Sequence, residues 1–80
     1  MSVDVEYDRL LDTKGLNCPE PVMLLHKCVR SMQVGEVVRV EATDPSTSRD
    51  IPKFCEFLGH QLLAQAQQDA LYWYLIKKGE

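Results

Sequence analysis

Cys18 stands one residue before a Pro-Glu-Pro unit in the run Leu16-Asn17-Cys18-Pro19-Glu20-Pro21-Val22-Met23. Proline has no N–H and clashes with the carbonyl four residues back, so a helix tolerates it only in the first turn. Two prolines two apart, running into apolar residues, therefore mark a helix that begins at or just after Pro19. A residue before proline avoids helical angles, so Glu20 allows a start as late as Pro21. In either case Cys18 lies at the cap or within two residues of it. There the helix dipole and the unpaired amides favour an anion, and hence a thiolate. Glu20 opposes this as a nearby carboxylate; its plain role is an acidic first-turn residue matched to the dipole. Pro19 and Pro21 restrict the backbone on both sides of Glu20 and so narrow the directions in which the thiol points. A free cysteine is otherwise most often a small buried hydrophobe. Asn17 before it and Pro-Glu-Pro after it make a poor apolar pocket, which favours the reactive reading and leaves the buried one open.

The other candidates for chemistry are fewer. Cys28 is ten residues further along the same helix, roughly 15 Å up its axis. A disulfide needs Cα atoms within about 7 Å, so Cys28 cannot resolve Cys18, and it reads as half-buried packing. Cys55, beside Phe54 and Leu58, reads as core. Three cysteines are an odd number with no C-x-x-C spacing, so neither a disulfide framework nor a dithiol redox motif is signalled. His26 and His60 form no local ligand cluster with them, and no metal or cofactor is expected. Asp44, Ser46, Thr47 and Asp50 read as turn and capping residues. Met23 and Leu24 fall off the apolar stripe of the first helix; they read equally as partner docking surface or as peripheral packing. Lys27 and Arg30 give that helix a basic face, either solvated or turned to an acidic partner.

These residues must be positioned by a small chain. Eighty residues make one domain, burying roughly 60–65% of its extended surface. That leaves no room for a large enclosed active site, so any chemistry sits at the surface and is completed by a partner. A net charge of −3 argues against gripping nucleic acid, which needs a basic stripe. Met1–Glu6 is acidic and has no apolar leader core, and no apolar run approaches the roughly 20 residues that span a bilayer. The expected compartment is the cytosol, where thiols stay reduced.

The pattern along the chain predicts a strand over 7–12, closed by Lys14-Gly15. A helix over 19–32 follows, with Val22, Leu25, Val29 and Met32 as its core stripe. A β-branched strand over 36–42 comes next, then a turn at 43–48. A second helix carries Phe54, Cys55, Phe57 and Leu58 and stops at Gly59. Pro52 requires either that this helix start near it or that a single turn precede it and kink there. Strands over 61–67 and 71–76, joined at Gln68-Asp69-Ala70, form a hairpin. Tyr72 and Tyr74 share one sheet face and Trp73 takes the other. The result is an α/β two-layer βαβαββ sandwich, a four-stranded mixed sheet with two helices packed on one face.

Cys18-Pro19-Glu20-Pro21 resembles the CPxP signature of the TusA/SirA-like sulfur carriers. Leu11-Asp12-x-x-Gly15-Leu16, the block Asp44-Pro45-x-x-x-Arg49-Asp50-Ile51-Pro52-x-Phe54-Cys55, and the close Tyr74-Leu75-Ile76-x-Lys78-Gly79 are similar to that family too. The likeness runs over nearly the whole chain. CPxP alone is a short pattern, but with the second-helix block and the matching length it is specific. The resemblance implies a sulfurtransferase-type relay in which Cys18 accepts sulfane sulfur from a cysteine desulfurase as a persulfide. It implies delivery to a downstream carrier of TusD type or another acceptor, most often for 2-thiolation of the tRNA wobble uridine, with molybdenum cofactor synthesis and sulfur oxidation as other family endpoints. The carrier would be a co-substrate rather than a stand-alone enzyme, and monomeric because successive partners use one face. Asn17 stands where many members carry a basic residue, so local positive charge is not what would help this thiolate. A redox-sensing thiol domain and a thiol-independent regulatory module remain alternatives: the first would form oxygen adducts on Cys18, and the second would not need Cys18 at all.

Overall fold

The computed structural model describes residues 7–80. The acidic segment Met1–Glu6 lies outside the described residues. Six elements follow in the order β1 (Arg9–Thr13), α1 (Glu20–Arg30), β2 (Val37–Ala42), α2 (Thr47–Leu58), β3 (Gln61–Gln68) and β4 (Leu71–Lys77). The sheet order is β1-β2-β4-β3. β1 runs parallel to β2, and β4 is antiparallel to both β2 and β3. This is the mixed four-stranded sheet expected from the pattern, with both helices on one face.

Alternation decides which face is covered. Val38, Val40 and Ala42 of β2 are buried, while Val37, Arg39 and Glu41 between them stay partly open. Across the ladder, Val40 pairs with Tyr74 and Val38 with Ile76, and all four side chains are essentially inaccessible. Leu25 and Val29 of α1 and Ile51, Phe54 and Cys55 of α2 close over them as one core. Burying aliphatic side chains of this size stabilises a fold by about 1.5–3 kcal/mol each. On the opposite face the Arg39 guanidinium stacks over Trp73 at 4.8 Å. Tyr74 is buried and Tyr72 packs against the same core, so the tyrosines do lie opposite Trp73.

Several details depart from the sequence reading or decide between its alternatives. β1 starts at Arg9 rather than residue 7 and runs through Thr13. α1 ends at Arg30 rather than at 32. The amides of Ser31 and Met32 bond back three residues, to Cys28 and Val29, and the Ser31 hydroxyl donates to the Cys28 carbonyl at 2.8 Å. Such tightening satisfies late carbonyls without another α turn, and Met32 is still buried. α2 takes the second of the two arrangements that Pro52 allows: a turn from Thr47 precedes it. That turn is held by three-residue bonds from Thr47, Ser48 and Arg49 to Asp44, Pro45 and Ser46. Phe57, grouped by the sequence with Phe54, is 91% exposed. Gly59 ends α2 with a left-handed φ of 76°, which lets the His60 amide reach the Cys55 carbonyl at 2.9 Å.

Candidate functional site

The loops that leave β1 and β2 meet beyond the carboxyl ends of the parallel pair, and both helices start there. In open α/β sheets this crevice is where ligands and chemistry gather. The Gly15 amide donates to Thr43 Oγ1 at 2.9 Å, joining the two loops at their bases. Further along, the Cys18 amide donates to Asp44 Oδ2, while Asp44 Oδ1 accepts from the Ser46 amide at 3.0 Å. These amide bonds, Ser46 first and Cys18 second, hold the Asp44 carboxyl below the usual aspartate range. Asp44 therefore clamps Cys18 to the start of α2 as a carboxylate.

Pro19 is the N-cap of α1 and makes no side-chain cap bond; Pro21 sits in the first turn and is buried. The Cys18–Pro19 peptide is cis. The Glu20 amide donates to the Asn17 carbonyl at 2.8 Å and the Met23 amide to the Pro19 carbonyl at 3.0 Å. So the helix starts at Glu20, inside the range that the two prolines set, and Cys18 is one residue outside its cap. Cys18 is exposed, which excludes the buried reading. Its Sγ donates to Asp50 Oδ2 at 3.3 Å, and Arg49 Nε holds the other oxygen of Asp50 at 3.2 Å. Two helix amino ends thus direct partial positive charge at the sulfur, and the carboxylates of Asp44 and Asp50 stand against them.

A groove of about 390 Å³ opens from the sulfur between the two helices. Val22 and His26 form its α1 wall, and Phe54, Phe57 and Leu58 its α2 wall, with Asp50 and Lys53 at the rim. His26 meets the edge of Phe54 at a centroid distance of 4.6 Å. Met23, Lys27 and Arg30 are all exposed. Their i, i+4, i+7 spacing places them on one stripe of α1, beside the groove and outside its lining. Glu20 is exposed as well. Of the two histidines, His26 is exposed and His60 is half-buried. Its Nδ1 accepts from the Gly79 amide at 3.0 Å.

The remaining thiols are quiet. Burial pushes Cys55 up to about 11. Cys28 is raised by burial, partly offset by the charge of Arg9, and its sulfur lies 4.0 Å from that of Met32. Among the described residues no group of three or more His, Cys, Asp or Glu is placed to hold a metal ion. No helix among them is long and apolar enough to cross a membrane.

The family model described as sulfurtransferase TusA matches residues 9–78. The chain belongs to the TusA family. The sulfur carrier protein TusA of Pseudomonas entomophila (strain L48) is 60% identical over 75 residues, covering 94% of each chain. That of Pseudomonas aeruginosa (strain LESB58) is 58% identical over 71 residues, covering 89% of this chain and 90% of the relative. Among solved structures, the SirA-like protein of Desulfitobacterium hafniense superposes with a TM-score of 0.78 at 25% identity, covering 91% of this chain and all of that one. TusA proteins are sulfur carriers, so a single exposed thiol at a loop crevice is the feature of this site to explain. Asp44 and Asp50, read from sequence as capping residues, both bond Cys18. The signal for them lay in the Asp44-Pro45-x-x-x-Arg49-Asp50 block of the TusA resemblance, seven residues that bring both carboxylates to one end of α2.

Proposed function

We propose that Cys18 carries sulfane sulfur as a persulfide between a cysteine desulfurase and a downstream acceptor of TusD type, in the cytosol, toward 2-thiolation of the tRNA wobble uridine. The observation that carries this reading is the exposed Cys18 sulfur at the open end of the inter-helix groove, anchored through its own amide to Asp44. A carrier needs a sulfur that partners can reach, on a backbone that does not swing, with no second thiol able to discharge it. Cys28 is raised by burial and Cys55 still more so, so neither competes.

The transfer is an exchange at sulfur. Cys18, having released its proton, attacks the terminal sulfur of the donor persulfide. A bond forms between Cys18 Sγ and that sulfur as the donor's own S–S bond breaks. The donor leaves as a thiolate and takes up a proton, so sulfur moves with no net oxidation. Unloading repeats the step: an acceptor thiolate attacks the outer sulfur and Cys18 is the leaving group. Pro19 and Pro21 fix the backbone beside the sulfur, and Glu20 matches the helix dipole. The chain acts as one domain over residues 1–80, as a monomer and as a co-substrate for both partners. Met23 with Lys27 and Arg30, exposed beside the groove, supply an apolar and basic docking surface suited to an acidic partner patch.

Cells lacking this protein should lose tRNA 2-thiouridine. The wild-type chain should restore it and Cys18→Ser should not. Full restoration by Cys18→Ser would remove the persulfide from the account and leave a thiol-independent role.

A further inference from the structure

We propose that His60 and Gly79 form a pH-sensitive latch behind the Phe54 wall of the groove, closed while the imidazole is neutral and open once it is protonated. The inference goes beyond sulfur transfer and does not depend on what Cys18 carries. His60 lies just past the end of α2, whose first turn meets Cys18. Its ring packs on Phe54 at a centroid distance of 5.5 Å. Phe54 in turn meets His26, and those two line the groove. The segment leaving β4 returns to His60. There Lys78 is pinned three times. Its amide donates to the Glu36 carbonyl at 2.9 Å, its carbonyl accepts from the Gly35 amide at 2.9 Å, and its Nζ donates to the Met32 carbonyl at 2.7 Å. Gly79 is held by its amide, which donates to His60 Nδ1 at 3.0 Å. The approach is so close that a side chain at Gly79 would strike the Gly59 carbonyl oxygen.

A neutral imidazole accepts at one nitrogen, whereas an imidazolium has two N–H donors and no acceptor. Protonation therefore sets donor against donor at the Gly79 bond. Burial opposes that proton first; then Lys78 from the returning segment and His26 from α1 oppose a second positive charge. α2 presents Phe54 and the Cys55 carbonyl, which already accepts from the His60 amide. Glu80 lines the neighbouring cleft with Gly59 and Gln61, and His60 joins none of the ion pairs among the described residues. A folded value below the unfolded one keeps the latch closed above about pH 6.5 and releases it as pH falls through the folded value. Lys78 keeps its backbone bonds, so it is the hinge, and the segment beyond it is what moves.

The test is the hydrogen-exchange protection of the Gly79 amide in the intact protein, read by NMR at pH 7.5 and pH 5.5 relative to an unstructured peptide at each pH. A free imidazole goes from about one-tenth to about nine-tenths protonated over that range, so Gly79 protection should fall severalfold, up to about tenfold. The Ile76 amide, inside β4, should keep its protection. His60→Asn retains an acceptor that does not titrate there and should hold Gly79 equally at both pH values. Gly79→Ala, which cannot close against Gly59, should leave residue 79 unprotected already at pH 7.5. Should His60→Asn fail to fold, the wild-type Gly79 amide shift decides, because it must titrate with the midpoint of the His60 ring protons. A change in Gly79 protection of less than about twofold, the same fall in His60→Asn, or separate midpoints would each overturn the proposal. So would a fall shared by Ile76, which would mean that the whole fold had loosened.

Discussion

The Tyr74 hydroxyl and Thr47 Oγ1 meet at 2.9 Å in the buried interior, and their directions can be assigned. The single Thr47 proton goes to the Asp44 carbonyl at 2.8 Å, so Tyr74 is the donor. A residue from the middle of β4 thereby fixes the first turn of α2 and the loop that holds Cys18. Removing a buried donor while its acceptor keeps another partner costs about 1 kcal/mol. Tyr74→Phe should therefore lower the urea unfolding free energy by about that amount and leave the fold intact. A loss below about 0.3 kcal/mol would show that the pair adds nothing beyond packing.

The Asp44 clamp makes a prediction about acid. The Ser46 and Cys18 amides hold the Asp44 carboxyl below its ordinary value, so the fold gains from the carboxylate above about pH 4. That gain is lost as pH falls through the lowered folded value. In an NMR titration the Cys18 amide proton should follow Asp44, with a midpoint below the model-peptide aspartate value of about 3.9. A midpoint at or above that value would mean that the two loops are not tied through this bond.

His60 should produce an earlier step. Burial first, then the nearby Lys78, hold it below the ordinary histidine value, and its Nδ1 must be unprotonated to accept from Gly79. A folded value below the unfolded one means stability that is full above about pH 6.5 and lost as pH falls through the folded value. The urea midpoint of the wild-type protein should fall between about pH 7.5 and about pH 5.5. His60→Asn, whose side-chain oxygen also accepts but does not titrate there, should flatten that slope. An equally steep slope in the variant would place the titration elsewhere.

Much of this arrangement is legible in the sequence, for local reasons. The β-branched run of β2 and the Pro-Glu-Pro start of α1 are dictated by backbone sterics, and each formed where those sterics predict. Leu25 and Val29 are buried because 3.6-residue spacing leaves them no other face. What escaped was set by distance in space. Asp44 and Asp50 are ordinary turn and first-turn residues by their neighbours, and only tertiary folding against residue 18 makes Asp44 the partner of the Cys18 amide and Asp50 the partner of its sulfur. Phe57 shares apolar character with Phe54, and both line the groove, but Phe54 is buried in the core while Phe57 is 91% exposed. Periodicity read from a short helix with an internal proline could not assign that difference. The packing of His60 was not legible because it comes from the chain's far end, where Gly79 returns beside Gly59.

The central claim is that Cys18 takes up sulfur. Incubating the protein with a cysteine desulfurase and free cysteine, then measuring intact mass, tests it directly. The account predicts a gain of one sulfur atom, mapped to Cys18, removed by a thiol reductant and absent in Cys18→Ser. A protein that gains only oxygen on that residue, or gains sulfur equally well without it, would contradict the account.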